Sequence, residues 1–257
     1  MTDQLLYEVQ DDIGLITFNR PEARNALTFE MYDRLAEICV AAARQDSSLK
    51  ALIITGAGDK AFAAGTDISR FREFTTPKHA LDYEARMDEV LGAVERVPVP
   101  VIAAIRGACT GGGAAIAACC DLRVANADLK FGFPIARTLG NCLSVGNLSR
   151  LVSLLGAART KEIIFTTRLI GIEEALGTGF VCETAEDPLA RARELALQMA
   201  GYAPLTLRAT KEGLRRLREK TAELDGSDLI TQCYTSEDFR EGLEAFLAKK
   251  KPEWRGR

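Results

Sequence analysis

The strongest constraint in this 257-residue chain is a change of rhythm, since short apolar strands alternate with amphipathic helices to about residue 185 and only helical patterns follow. Ile13 to Phe18, Ala51 to Thr55 and Val99 to Ile105 read as strands, each a short β-rich or continuously apolar run bounded by Gly, Pro or Asp. Thr28 is placed to cap a helix whose Met31, Leu35, Ile38 and Ala42 fall at helical spacing, and Met87, Val90, Leu91 and Val94 make a second such face. Alternation of this kind predicts an α/β core. Past residue 186, Leu189, Ala192, Leu195 and Met199 mark one helix, Pro204 opens a basic segment with Leu214 and Leu217, and Phe239, Leu243, Phe246 and Leu247 mark the last. These apolar faces exceed what one protomer can cover, which predicts self-association through the tail. The expected division is a core over 1–185 and a helical oligomerisation region over 186–257.

Charge and cysteine usage exclude several classes of function. Thirty-three Lys+Arg against thirty-six Asp+Glu give a formal charge of -3, so the overall balance offers a nucleic acid no support and points to a small partner. The uncharged stretch from Gly107 to Cys120 is too short and glycine-rich to span a bilayer, which takes about 20 residues. Met1 to Gln4, with Asp11 and Asp12 behind, has the wrong charge for a leader, so a cytoplasmic protein is expected. Seven cysteines (39, 109, 119, 120, 142, 182, 233) lack any C-x(2–4)-C spacing, so neither a disulfide framework nor a zinc site is expected.

Two strand-to-loop-to-helix passages carry the chemistry. The strand Ala51 to Thr55 leaves through Gly56 and Gly58 and reaches Ala61-Phe62-Ala63-Ala64-Gly65-Thr66-Asp67-Ile68; Val101 to Ile105 leaves through Gly107 and reaches Gly111-Gly112-Gly113 at the head of an apolar helix. Glycine lets backbone amides approach a ligand, and the first amides of a helix have no internal acceptor. Two such donors on one carbonyl oxygen would form an oxyanion hole; tight turns or close helix packing are the alternative use of the same glycines. A phosphate loop does not fit, because Ala114 and Ala115 stand where Lys-Ser/Thr would follow, and no G-x-G-x-x-G occurs.

The order and spacing of Asn19-Arg20-Pro21-Glu22-Ala23-Arg24-Asn25-Ala26-Leu27, Ala61 to Ile68, Gly107 to Gly113 with Cys120-Asp121, Arg150-Leu151, Glu173-Glu174-Ala175 with Gly179, and Glu237 to Gly242 resembles the enoyl-CoA hydratase/isomerase (crotonase) superfamily. The resemblance covers essentially the whole chain. It implies an α/β fold with a crotonase-like ββα spiral core, a helical C-terminal region forming trimers or dimers of trimers, and a site for acyl-CoA thioesters with no cofactor beyond the substrate's coenzyme A. It assigns the oxyanion amides to Thr66 and Gly112, the CoA path to Ala23, Arg24, Ala26, Ala64, Asp67, Ile68 and Gly111, and a reach towards a neighbour's CoA to Lys249.

Against the resemblance, the two positions where hydratases carry glutamates hold Ala115 and Ile135, with Ala136 next to the latter, and a third acidic position of isomerases falls at Ser144. A positioned acid or base contributes about 10²- to 10⁴-fold, and these side chains supply none of it. Arg137 and Cys142, in the polar segment Arg137 to Ser144, are candidate substitutes: Arg137 as a two-pronged carboxylate anchor, Cys142 as acid, base or nucleophile if its pKa is lowered; a loop salt bridge and simple packing are their alternatives. Cys119 is expected to pack, His79 to cap a surface helix and Asp67 to start one. Three functions stay open: hydration of a 2-enoyl-CoA, the family default; decarboxylation or another lyase or isomerase reaction on a carboxylated acyl-CoA; and acyl-CoA binding without chemistry.

Overall fold

Continuously apolar runs become neighbouring central strands in the computed structural model, which describes residues 4–44, 47–222 and 225–257. The first three residues of the N-terminal reading lie outside them. In chain order the strands are β1 (Leu5–Gln10), β2 (Ile13–Phe18), β3 (Ala51–Gly56), β4 (Ala61–Ala63), β5 (Val101–Ile105), β6 (Ala108–Thr110), β7 (Leu122–Ala125), β8 (Lys130–Gly132) and β9 (Glu183–Thr184). One sheet runs β1-β2-β3-β5-β7-β9, antiparallel at β1/β2 and parallel elsewhere; a smaller parallel sheet runs β4-β6-β8. The chain visits the large sheet, then the small one, then a helix, and steps one strand along at each turn. This is the crotonase ββα spiral. The third strand begins at Val101 instead of Val99, because Pro98 and Pro100 have no N–H for the ladder.

The helices are α1 (Phe29–Ala42), α2 (Pro77–Arg96), α3 (Gly112–Cys119), α4 (Ile135–Thr138), α5 (Val145–Phe165, broken at Gly156), α6 (Ile172–Gly177), α7 (Pro188–Ala200), α8 (Pro204–Ala222), α9 (Ser227–Tyr234) and α10 (Glu237–Leu247). Thr28 caps α1, its Oγ1 accepting from the Met31 amide at 3.3 Å. Strand alternation divides the core. Leu52, Ile54, Ala103 and Ile105 face α1, α2 and α3, whereas Ala51, Ile53, Ile102 and Ala104 face Ala192 and Ala196 of α7.

The helices after residue 186 therefore do three different things. The first, α7, seals the back of the large sheet. Both α9 and α10 pack Ile230, Tyr234, Phe239 and Leu243 against Ile68, Phe71, Ala80 and Leu139 beside the site. Between them α8 is tied down by Lys211, whose Nζ lies 2.6 Å from Asp121 Oδ2, and it leaves Leu205, Leu214 and Leu217 exposed at 77%, 64% and 69%. Among the described residues no helix is long and apolar enough to cross a membrane.

Candidate active site

The two glycine passages converge because β4 and β6 are parallel neighbours, with Ala61 opposite Ala108 and Ala63 opposite Cys109, so both chains leave the small sheet at the same edge. Gly65 and Gly111 turn there with φ of +114° and +53°, backbone that L side chains rarely adopt. A Cβ on Gly111 would stand 3.4 Å from the Gly65 Cα, so the loops touch. Thr66 and Gly112 consequently line one cavity of about 140 Å³. Among the described residues neither the Thr66 amide nor the Gly112 amide, at the first position of α3, donates to any acceptor.

A hydroxyl cluster backs this pair. Tyr32 of α1 and Thr66 share a hydrogen bond at 2.8 Å between Oη and Oγ1, and Tyr83 Oη stands 3.5 Å from the same Oγ1. A Cβ built on Gly112 would fall 1.9 Å from Tyr32 Oη, so any side chain there must displace Tyr32 or the loop. Burial keeps Tyr32 and Tyr83 un-ionised by pushing both phenols above their ordinary range. The opposite wall is hydrocarbon at the two positions the resemblance singles out, for Ala115 and Ile135 both line the cavity and are 8% and 9% exposed.

The acid in this cavity is one the sequence reading passed over. Glu84 of α2 lines it and is 5% exposed. Its Oε1 accepts from Tyr234 Oη at 2.5 Å, and Tyr234 Oη in turn accepts from Asn141 Nδ2 at 3.2 Å. Burial pushes the Glu84 carboxyl up to about 7 although the Tyr234 hydrogen bond favours the carboxylate, and nearby Asp88 adds to the rise. The signal lay in spacing: Glu84 precedes Met87 by three residues and Leu91 by seven, which places a carboxyl on the helix face already identified as buried.

The loop from Arg20 to Leu27 is latched onto the first glycine passage, through the Ala64 amide to Arg24 O at 3.0 Å and the Leu27 amide to Gly65 O at 2.9 Å. Buried Asn25 fixes it by donating to Ala57 O and Ala61 O at 2.9 and 2.8 Å. Arg20 joins its two ends, reaching Ala26 O at 2.7 Å and Asp67 Oδ2 at 3.2 Å. Ala23, Arg24 and Ala26 thus border the passage that carries Ala64 and Ile68, and these last two line the cavity with Gly111. Asp67 starts a 3-10 helix over Ile68–Glu73; burial opposes its ionisation, but Ser69 and Arg20 hold its carboxyl below the usual value. Lys249, at φ +55°, is exposed just past α10 and away from the cavity lining.

Neither expected substitute for the missing glutamates faces the cavity. Ile135, Thr138 and Leu139 line it at helical spacing, so Arg137, two residues after Ile135, is rotated outwards and exposed. Cys142 is half-buried with its Sγ 3.6 Å from Leu229 O; a hydrogen bond with Cys233 and then burial raise its pKa, the reverse of what a nucleophile needs. Ser144 caps α5 and donates to Asp88 Oδ1 at 3.0 Å, outside the cavity. Cys119 is a buried thiol whose pKa burial raises well above its ordinary value, and exposed His79 lies in the capped first turn of α2. Among the described residues no group of three or more His, Cys, Asp and Glu side chains could hold a metal ion.

Comparison with known proteins identifies the family. The family model described as enoyl-CoA hydratase/isomerase matches residues 8–257. Short-chain-enoyl-CoA hydratase of Clostridium acetobutylicum is 33% identical over 261 residues, covering 98% of this chain and 97% of that protein. Crotonyl-CoA hydratase of Syntrophomonas wolfei is 33% identical over 257 residues, covering 97% and 96%. Among solved structures, an enoyl-CoA hydratase/carnithine racemase from Magnetospirillum magneticum matches with a TM-score of 0.79 and 33% identity over 100% of this chain and 97% of that one.

Proposed function

This chain belongs to the enoyl-CoA hydratase/isomerase family and is an enzyme of that family, and from that premise we propose that it binds an acyl-CoA thioester and stabilises the thioester enolate between the Thr66 and Gly112 amides. The observation that carries the reading is the pair of unpaired amides on two touching loops that line one cavity. Preorganised amides of this kind stabilise the negative charge that develops on a thioester oxygen when its α-carbon becomes nucleophilic. The CoA moiety runs along Ala23, Arg24 and Ala26, where the loop is braced by Asn25 and Arg20, with Ala64, Asp67 and Ile68 beneath it and Lys249 reaching towards a neighbour.

Hydration of a 2-enoyl-CoA is the proposed reaction, since relatives matching nearly the whole chain bear hydratase names and the cavity holds polar side chains at Tyr83, Glu84 and Asn141. Decarboxylation of a malonyl-type thioester has less support, because Arg137 does not line the cavity. The site needs no cofactor beyond the CoA of its substrate; the protein works in the cytoplasm as a homotrimer or a dimer of trimers. Crotonyl-CoA hydration by wild type and Gly112→Pro tests the reading. Measured against Gly112→Ala, which adds the same Cβ but keeps the amide, removing the donor is expected to lower turnover by about 10²- to 10³-fold, and full activity in correctly folded Gly112→Pro would remove the oxyanion assignment.

A further inference from the structure

We propose that Glu84, fixed by Tyr234 and Asn141, carries the proton that an acyl-CoA gains or loses in this cavity, and that this proton exchanges with solvent through a crevice on the other side of the residue. The proposal rests on the acyl-CoA reading above. Among the described residues lining the cavity, Glu84 is the one carboxyl group, and the hydrocarbon of Ala115 and Ile135 leaves no competitor.

Glu84 also lines a second, larger crevice of about 630 Å³, shared with Asp88, Ser144, Arg150 and Asp225. It therefore stands between the cavity and a crevice lined by charged side chains, the position a proton carrier needs. A second observation points the same way. Asn141 lines the cavity, and its Oδ1 is buried with no donor among the described residues. With its Nδ2 given to Tyr234, that oxygen is an open acceptor for a water molecule or a substrate hydroxyl beside the carboxyl relay.

The charges around Glu84 are accounted for on every side. On α2 Asp88 stands one turn on, and Asp82 and Glu95 share the crevice; Asp88 and Glu95 are paired with Arg150 of α5, and Glu95 also with Arg218 of α8. Tyr32 of α1, Tyr83 of α2 and Cys142 of the loop before α5 interact with it electrostatically, Tyr234 of α9 donates to it, and Arg96, Glu219 and Asp225 complete the crevice. The step balances without a further reagent. When an α-hydrogen is abstracted, the C–H electron pair becomes the enolate held by the two amides and the proton goes to a Glu84 carboxylate oxygen. In hydration the water proton goes to Glu84 as its oxygen bonds the β-carbon; the C=C pair becomes the enolate, and the same proton then closes the α-carbon.

Deuterium uptake at the α-carbon of butyryl-CoA in D₂O, read by mass spectrometry, tests this without assuming the natural reaction. Wild type is expected to incorporate deuterium, and Glu84→Gln to do so slower by about 10²-fold or more while calorimetric butyryl-CoA affinity stays within about threefold. The exchange rate should rise with pH through an apparent pKa near 7. Tyr234→Phe, which removes a hydrogen bond favouring the carboxylate, should move that limb to higher pH, and Asp88→Asn, which removes a like charge, to lower pH. These opposed shifts carry the test if Glu84→Gln does not fold. Exchange in Glu84→Gln within about threefold of wild type, or a limb unmoved in both other variants, would overturn the proposal. Loss of exchange in Gly112→Pro alone strikes only Glu84, whereas absent butyryl-CoA binding, or undiminished exchange in Gly112→Pro, overturns the acyl-CoA reading and this proposal with it.

Discussion

Gly112 meets two demands at one residue, an unpaired amide and room for Tyr32. Since a Cβ there would fall 1.9 Å from Tyr32 Oη and 2.9 Å from Thr66 Oγ1, Gly112→Ala is expected to keep the amide yet push it out of place against the Tyr32 side chain and lose activity. Adding Tyr32→Phe to Gly112→Ala removes the nearest clash and should restore part of the activity; a double variant no better than the single would break this link. Thr66→Ala leaves Tyr32 Oη buried without its 2.8 Å partner, so it should cost about 1–3 kcal/mol in urea unfolding while turnover changes little. Glu84 makes stability depend on pH. Its carboxyl rises from 4.5 to about 7 on folding, so its contribution is fully present below the lower value and is lost as pH climbs through the upper one, roughly 3 kcal/mol in all. Unfolding free energy should fall across that window in wild type and stay flatter in Glu84→Gln; parallel curves would contradict it. That Thr66 and Gly112 lie on loops of close backbone approach was readable because glycine marks such places; the oxyanion role itself is a proposal. Arg137 and Cys142 were singled out because a polar segment reads as a site wall, whereas neither lines the cavity and one helical turn leaves Arg137 exposed. Glu84 was missed because its face was read from its apolar members alone.

At the scale of elements, strand positions followed from unbroken apolar runs, and helix starts from side chains that cap, as at Thr28. Pairing was not legible: nothing local in Ala61–Ala63 and Ala108–Thr110 announces that these short segments lie side by side, yet that pairing makes the site. Nor does periodicity tell a helix that closes a sheet from one that meets another chain. Ala192 and Ala196 are fully buried where α7 meets the sheet, so Ala196→Leu should overpack that layer and destabilise by about 1–3 kcal/mol. Thermal melts unaffected by this substitution would argue that α7 rests loosely. Because α7 belongs to the core, deleting everything from Ala185 onwards would expose the sheet, and aggregation of that product would say nothing about subunit contacts.

For the molecule as a whole, the spiral places the amides and the chain end completes the pocket, with Tyr234 of α9 holding Glu84 and Phe246 of α10 lining the same cavity. Leu214 and Leu217 of α8 remain more than half exposed and belong to the proposed subunit contact. Leu214→Glu with Leu217→Glu should reduce the mass measured by light scattering from that of an oligomer to that of a monomer; an unchanged assembly would place the contact elsewhere. Trimer or hexamer is not written in either sequence or protomer, because it depends on the docking of copies. The central claim, that a thioester oxygen sits between two backbone amides, is tested most directly by a crystal structure with butyryl-CoA. The thioester oxygen is expected about 2.7–3.1 Å from the amide nitrogens of both Thr66 and Gly112. An oxygen held instead by Tyr32 or Asn141, with both amides left to water, would contradict the account.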